Sequence, residues 1–401
     1  MILKSVIQEV IRTQKEFIDR KDTGFIRKLD WQIPDHRSHA LIITGIRRCG
    51  KSTLLHQLLN RWEGISLYLN FDDPRLFGFA LVDFERLQEI IREEVAVNVF
   101  LDEIQLVRYW ERYIRQLVDQ QTHRIILTGS NAGMLSQELG THLTGRHLSK
   151  ELFPFSFTEF AGFRNLANDS VATREYLQTG GFPDFIKTQN PDILSTVLKD
   201  ILYRDIGIRY GVRNHEAIEQ LAIHLLTNIS RPITSNSLRK LLNIGAASTV
   251  SEYLFYFEQT YLFSFVKKFS YSYKEQVQNP RKAYAIDPGL ARHNSVSFSD
   301  DHGRYLENAV FLSLRRRYQD IYYYSGEGEC DFVIMDNGKA QRLVQVCYQL
   351  TADNLDRERQ GLLECMRFFS ISRGEIVTLD QEDTIRDNEL IIDIKPFHLF
   401  A

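Results

Sequence analysis

The run Leu41-Ile42-Ile43-Thr44-Gly45-Ile46-Arg47-Arg48-Cys49-Gly50-Lys51-Ser52-Thr53 sets two glycines, a lysine and two hydroxyls at the spacing G-x-x-x-x-G-K-[ST]. Gly45 and Gly50 let the backbone curl so that its N–H groups converge on an anion. A helix starting near Lys51 adds the positive end of its dipole. Lys51 can reach the β and γ phosphates of a nucleotide as a mobile point charge, and Ser52 can set its hydroxyl on Mg2+. The pattern therefore predicts a nucleoside triphosphate site (Walker A) whose binding residues are Gly45, Ile46, Arg47, Arg48, Cys49, Gly50, Lys51, Ser52 and Thr53. The competing reading is an ordinary strand, turn and helix.

A second pair carries chemistry. Asp102-Glu103 closes the apolar run Val97-Asn98-Val99-Phe100-Leu101. An acid at that place is where the Mg2+-holding carboxylate of a phosphate-loop enzyme (Walker B) belongs, directly or through water. Glu103, one residue on, is placed to orient and deprotonate an attacking water. Ser130 or Asn131, ending Arg124-Ile125-Ile126-Leu127-Thr128-Gly129, is a candidate contact for the γ-phosphate or the water. Arg146 is a candidate for stabilising charge on the transferring phosphoryl group, from its own chain or from a neighbouring subunit. For Arg146 the alternative is a surface or structural ion pair.

These side chains need a scaffold. The apolar segments around 40–44, 65–71, 95–101 and 124–129 alternate with helical patterns over about 54–59, 82–94 and 109–120. Such alternation builds a parallel sheet covered by helices on both faces. Ligands then sit beyond the carboxyl ends of the strands. The phosphate loop, Asp72-Asp73, Asp102-Glu103 and Ser130-Asn131 all fall at such ends. In residues 1–30, Val6, Ile7, Val10, Ile11, Phe17 and Ile18 recur at helical spacing, which predicts a helix packed beside this core. A role in holding the adenine base is a weaker alternative there.

The chain has 401 residues, 43% hydrophobic and 25% charged, with a net charge of −3. That length predicts two or three domains of soluble globular character. The charge excludes a uniformly basic nucleic-acid binder and leaves only local patches. No apolar stretch approaches the length of a membrane helix, and the acid-bearing N-terminus lacks a secretory core. The four cysteines have no metal-ligand spacing. A cytoplasmic protein with reduced thiols is expected.

The phosphate loop, Leu101-Asp102-Glu103-Ile104-Gln105, Leu127-Thr128-Gly129-Ser130-Asn131, Gly145-Arg146 and Glu151-Leu152-Phe153-Pro154-Phe155-Ser156-Phe157-Thr158-Glu159-Phe160 together resemble the AAA-type predicted ATPases of bacteria and archaea. Those proteins carry an AAA_14-like domain followed by an uncharacterised C-terminal DUF4143 domain. Gly180-Gly181-Phe182-Pro183, Tyr284-Ala285-Ile286-Asp287-Pro288-Gly289-Leu290 and Val344-Gln345-Val346-Cys347-Tyr348 extend the resemblance over nearly the whole chain. It implies ATP as nucleotide, Mg2+ as cofactor, and site roles for Lys51, Ser52, Asp102 and Glu103. Ser130 as sensor and Arg146 as arginine finger follow from position in the fold.

The expected architecture is an α/β chain in five parts. An N-terminal helix (1–30) precedes the ATPase core (31–165), a helical lid (166–231), a winged helix-turn-helix (232–292) and a restriction-endonuclease-like domain (293–401). In the winged module Lys267, Lys268, Lys274, Arg281 and Lys282, with Tyr271 and Tyr273 between them, make a basic aromatic patch suited to the phosphates of double-stranded DNA. Its second helix offers Ser248, Thr249, Ser251 and Glu252, without an arginine or lysine for base edges. Protein–protein contact is the alternative. In the last part Glu307, Asp331 and the strand Leu343–Tyr348 follow the order of a metal-dependent nuclease core. The acid-x-lysine pair reads Gln345-Val346-Cys347 instead, so hydrolysis there is expected to be lost. Arg315-Arg316-Arg317 either holds a phosphate backbone or is a solvated helix face.

The sequence thus points to ATP binding and hydrolysis that moves the C-terminal modules, with a homo-oligomeric ring if Arg146 acts in trans. The alternatives are a nucleotide-gated switch or scaffold that recruits a protein partner, and, less favoured, an active Mg2+-dependent nuclease.

Overall fold

The computed structural model describes residues 1–20, 22–33, 37–131, 133, 143, 145–297 and 301–401. The chain divides into two compact units, Met1–Leu152 and Phe153–Ala401.

Among the described residues, unit 1 is built on five strands, β1 (Ala40–Thr44), β2 (Ser66–Asn70), β3 (Asn98–Asp102), β4 (Arg124–Gly129) and β5 (His147–Glu151). They pair in the order β2-β3-β4-β1-β5, every neighbour parallel. Every residue of β1 and β3 is buried. That is why their centres, Leu41–Ile43 and Val99–Leu101, read as apolar runs rather than alternating ones. The helices α1 (Lys4–Arg20), α2 (Lys51–Leu59), α3 (Asp83–Glu93) and α4 (Trp110–Gln120) accompany the sheet. From α1, Ile7, Val10 and Ile11 join one core with Leu67, Leu69, Leu101, Leu127 and Trp110. Phe17, which the helical spacing assigns to the same face, is 61% exposed. Gln14 of α1 clasps the edge strand β2, accepting from Asn70 N at 2.9 Å and donating to Asn70 O at 3.2 Å. Register sets Thr44 beside Gly129 and Asn70 beside Asp102, so the carboxyl ends of four strands finish at one edge.

Unit 2 opens with helices over Phe157–Arg164, Ser170–Thr179, Pro183–Thr188, Asp192–Lys199 and His215–Thr227, with a π-helical stretch at Asp200–Ile208. Then come β6 (Pro232–Ile233), helices Ser235–Leu241 and Ala247–Gln259, β7 (Phe263–Lys268), a helix Tyr273–Gln278, and β8 (Arg281–Ala285). Helices Pro288–Asn294 and His302–Arg315 lead to β9 (Ile321–Ser325), β10 (Glu329–Asp336) and β11 (Lys339–Val346). Helix Leu355–Phe369, β12 (Arg373–Thr378), β13 (Asp383–Asp387), β14 (Leu390–Pro396) and a last helical turn complete the unit. Among the described residues its nine strands form one sheet, β13-β14-β12-β11-β10-β9-β7-β8-β6.

That sheet crosses the boundary the sequence places at 292/293. β7 pairs in parallel with β9 through Lys267 and Tyr322, joining two segments the sequence separates. The division into compact units falls after Leu152, so the stretch from Phe153 to Phe160 clusters with unit 2.

Two glycine motifs meet inside unit 2. Gly181 N donates to Asp287 Oδ2 at 2.5 Å, and Leu290 N donates to Asp287 Oδ1 at 2.8 Å. A Cβ on Gly289 would lie 2.1 Å from Thr179 O, and one on Gly180 would lie 2.1 Å from Asp287 Oδ1. Gly-Gly-Phe-Pro and Asp-Pro-Gly-Leu are therefore packing motifs. Gly289→Ala is expected to destabilise the protein by about 3 kcal/mol, since a backbone neighbour rather than a flexible tip must move. A urea midpoint unchanged from wild type would refute this.

Candidate functional site

The phosphate loop connects β1 to α2. Gly45 has φ 145°, Arg48 φ 62° and Gly50 φ 102°. A Cβ on Gly45 would sit 2.1 Å from Leu152 O, so the first glycine is required both for its conformation and for close approach of the backbone after β5. Gly50 caps α2 in the left-handed region, and Lys51 is the first helical residue. Lys51 is 4% exposed and donates from Nζ to Gly45 O at 2.9 Å and Ile46 O at 3.0 Å. The ammonium thus lies folded against the loop it serves. Arg27 braces the loop from outside, donating from Nη1 to Cys49 O at 2.9 Å. Cys49 is fully buried, and burial pushes its thiol above the usual range, so it is a packing residue rather than a nucleophile.

Asp102 ends β3 with no exposure. Its Oδ2 accepts from Tyr68 Oη at 2.7 Å and Asn70 Nδ2 at 3.3 Å, and its Oδ1 accepts from Thr128 Oγ1. Burial first, then the charge of Asp102, pushes the Tyr68 phenol far above its ordinary range, which keeps it a neutral donor. Glu103 follows in the left-handed region at φ 54°, and its N–H donates to Thr128 Oγ1 at 3.0 Å. A non-glycine residue held there carries local strain, a feature that clusters at working sites. Gln105 donates from Nε2 to Glu103 Oε2 and to Ser130 Oγ at 3.3 Å. Ser130 and Asn131 are 6% and 2% exposed at the end of β4. Ser52 borders a cleft of about 410 Å3 with Gln14, His56, Tyr68, Asn70 and Arg75.

Lys51, Asp102, Glu103 and Ser130 thus occupy one edge of one sheet. Asp73 serves structure: it accepts from Arg75 and Gln14, and Arg75 holds its carboxyl down at about 2.

Arg146 is placed elsewhere. Its carbonyl accepts from Ala40 N at 3.0 Å, and its guanidinium pairs with Asp119 near the end of α4. β5 runs parallel to β1, with His147 beside Ala40 and Glu151 beside Thr44. Arg146 therefore enters the sheet at the edge opposite the loop, roughly 15 Å from it at about 3.3 Å per residue. The structure does not bring Arg146 to the phosphate loop of its own chain.

Tyr68, Thr128 and Gln105 were not singled out by the sequence. The first two come from different strands, and the pairing register alone brings them to Asp102. Gln105, two residues beyond Glu103, lies in a run that carries the family resemblance, but the sequence assigns it no role of its own.

Unit 2 gathers the residues expected of a nuclease-like core. Asp331 N donates to Gln345 Oε1 at 3.1 Å, Val346 N donates to Asp331 Oδ2 at 3.0 Å, and Gln345 Nε2 donates to Glu358 Oε2 at 2.7 Å. Lys282, assigned by the sequence to a phosphate-binding patch, instead lies between the two acids. Its Nζ is 3.1 Å from Glu307 Oε1 and 2.7 Å from Asp331 Oδ1. Tyr284 Oη donates to Glu307 at 2.7 Å. β8 forces this outcome: Tyr284, two residues from Lys282, shares its face of the strand. Burial raises the Cys347 thiol, with Glu358 adding to the effect, so it supplies neither cation nor nucleophile. Among the described residues no group of three or more His, Cys, Asp or Glu is arranged to hold a metal ion. Arg316 is structural as well, donating to Pro154 O at 2.7 Å with its guanidinium 4.9 Å from the Phe153 ring centre.

Burial, then Asp331, pushes the Glu307 carboxyl up to about 7, and burial alone pushes Asp287 up to about 6. Each folded value lies above its unfolded one. Their contributions to stability are therefore full at low pH and are lost as pH rises through about 6 to 7. Lys282 is charged across that window: burial opposes its ammonium, but Asp331 and Glu307 hold its pKa well above the usual value. Glu307→Gln cannot ionise and is expected to flatten the decline in stability between about pH 5 and 8. Urea midpoints across that range that fall equally in both proteins would contradict this.

An AAA domain matches residues 37–161, which span the loop and both acids. A domain of unknown function, DUF8612, matches residues 171–300. The uncharacterized protein MJ1544 of Methanocaldococcus jannaschii is 33% identical over 391 residues, covering 89% of this chain and 86% of that protein. The chain belongs to the MJ1544 family. An uncharacterized protein of Haemophilus influenzae is also similar to this MJ1544-family chain, 31% identical over 326 residues, covering 76% of this chain and 77% of that protein. Where the resemblance in the sequence names DUF4143, the match in this MJ1544-family chain is to DUF8612. A structure of the Aeropyrum pernix ORC1 protein in complex with DNA is 12% identical, covering 72% of this chain and 91% of that one at a TM-score of 0.28, a likeness too weak to bear on fold or function. Among the described residues no helix is long and apolar enough to cross a membrane.

Proposed function

We propose that this protein is a Mg2+-dependent ATPase whose working site is the edge of the unit 1 sheet. The observation that carries this reading is the convergence of Lys51, buried against its own loop, with Asp102 and Glu103 at the neighbouring strand ends. The residues fit the groups required. Positive φ at Gly45 and Gly50 gives the loop a conformation that cradles an anion, and Ser52 and Asp102 are the hard oxygen donors Mg2+ selects. Mg2+ would neutralise charge on the phosphate oxygens. Lys51 and the loop amides bind and orient the triphosphate, Glu103 takes the proton of the attacking water, and Ser130 reads the γ-phosphate.

Arg146 acts in trans in this reading. Its exposed pair with Asp119 is weak enough to exchange for a neighbour's phosphate. A mixture of Lys51→Ala and Arg146→Ala chains is then expected to regain turnover that neither has alone. A mixture no more active than its parts would exclude the trans role and the ring.

The modules of unit 2 are the driven elements. Helices Ser235–Leu241 and Ala247–Gln259 with strands β6 to β8 make a winged-helix reading, and Tyr271 and Tyr273, 81% and 74% exposed, stand beside Lys274 as a surface for duplex DNA. The Lys282 cluster favours a second reading, a nucleotide-gated scaffold. Its acids are neutralised from within, so the nuclease-like fold binds rather than cuts. Steady-state turnover with and without duplex DNA separates the two. Strong stimulation supports the DNA-acting ATPase; tight ATP retention with negligible turnover supports the scaffold.

A further inference from the structure

The connection between β7 and β8 carries an exposed aromatic surface. It begins Lys267-Lys268-Phe269-Ser270-Tyr271-Ser272-Tyr273-Lys274, with rings at every second position and cations at both ends. Phe269 is buried and anchors the surface: its ring centre lies 4.8 Å from that of Phe369 and 5.1 Å from that of Tyr271. Around it Tyr271 is 81% exposed, Tyr273 74% and Phe368 46%. The Tyr271 and Phe368 ring centres are 6.1 Å apart, with 34° between the planes. The loop is ordered from within. Ser272 N donates to Ser270 Oγ at 3.0 Å, and Gln276 Nε2 donates to Ser270 O at 2.7 Å. The helix Tyr273–Gln278 buries none of its residues. Rings fixed in the open, beside a short helix that gains nothing from packing, mark a surface for a partner with flat apolar faces.

Charge narrows the choice of partner. Lys267, two residues from Phe269, shares its side of the strand, and Lys274 follows Tyr273. Neither makes an ion pair among the described residues, although the buried Glu258 feels the charge of Lys267. The acids Glu275 and Glu364 accept from Ser270 Oγ at 2.6 Å and Tyr324 Oη at 2.9 Å. Flat faces alternating with anions are what an unpaired nucleic-acid strand offers. A duplex keeps its bases stacked on one another, so it would engage the lysines and leave the rings idle.

We propose that Tyr271 and Phe368 form a stacking platform for the bases of a single-stranded nucleic acid, with Lys267 and Lys274 on its phosphates. This rests on the nucleic-acid reading of the same surface, which it narrows to unpaired strands, and does not depend on ATP hydrolysis.

The test is fluorescence anisotropy of a labelled oligothymidylate of about 15 nucleotides and of a hairpin duplex of matching length, titrated with the full chain at several salt concentrations. The strand is expected to bind at least about tenfold more tightly than the duplex. Tyr271→Leu and Phe368→Leu keep apolar bulk but lose the flat face, and each should weaken strand binding at least about fivefold. Tyr271→Phe keeps the face and should stay within about twofold of wild type. Lys274→Gln should reduce the slope of log affinity against log salt by about 0.7. Two sites on separate elements guard against a local packing loss at either. Duplex bound as tightly as the strand would overturn the proposal and leave the duplex reading standing. Wild-type affinity in both leucine variants would overturn it by placing the strand elsewhere. Binding of neither nucleic acid at low salt would overturn both readings and assign the surface to a protein partner.

Discussion

Lys51→Ala is expected to lose Mg·ATP turnover by at least about a hundredfold and to keep its fold. The size of the loss follows from what the ammonium does. It is 4% exposed, and it is held by Gly45 O and Ile46 O at hydrogen-bond distance. A buried charge aimed where phosphate charge develops is worth several kcal/mol of transition-state stabilisation. Its removal uncovers two loop carbonyls that water can reach once the side chain is gone, so the fold survives. Turnover and thermal unfolding measured on the same preparation check both halves. Turnover near wild type would remove Lys51 from the chemistry, and unfolding would make the loss uninformative about phosphate.

Glu103→Gln is expected to retain ATP and to hydrolyse it about a hundred- to a thousandfold more slowly. The amide keeps the shape and accepts from Gln105, but it cannot take a proton from water. Asp102, which the hydroxyls of Tyr68 and Thr128 anchor, is untouched, so the metal and nucleotide should still bind. Burst and steady-state kinetics distinguish retention from failure to bind. Hydrolysis at the wild-type rate would remove Glu103 as the base, and loss of binding would move it into the metal site.

The phosphate loop was legible because its chemistry is local: spacing along one short segment fixes the glycines, the lysine and the hydroxyl. Asp102 was legible for a related reason, since an acid that ends a fully buried strand has few other uses. The support around it was not. Tyr68 and Thr128 reach Asp102 from strands on either side of β3, so their roles depend on the parallel register, which no pattern in the chain specifies. Arg146 shows the same gap in reverse. Its type suits a phosphate contact, yet the pairing of β5 with β1 sends it to the far edge of the sheet. In unit 2 the basic run around β8 reads as a nucleic-acid surface until alternation along the strand turns Lys282 inward to two acids. The sheet runs across 292/293 because β7 finds its partner in β9, a parallel pairing between segments distant in sequence.

Calorimetric titration of the full chain with a non-hydrolysable ATP analogue, with and without Mg2+, bears most directly on all of this. The account predicts saturable binding of one nucleotide per chain, strengthened by Mg2+ and abolished in Lys51→Ala. A folded wild-type chain that takes up no nucleotide in the presence of Mg2+ would contradict it.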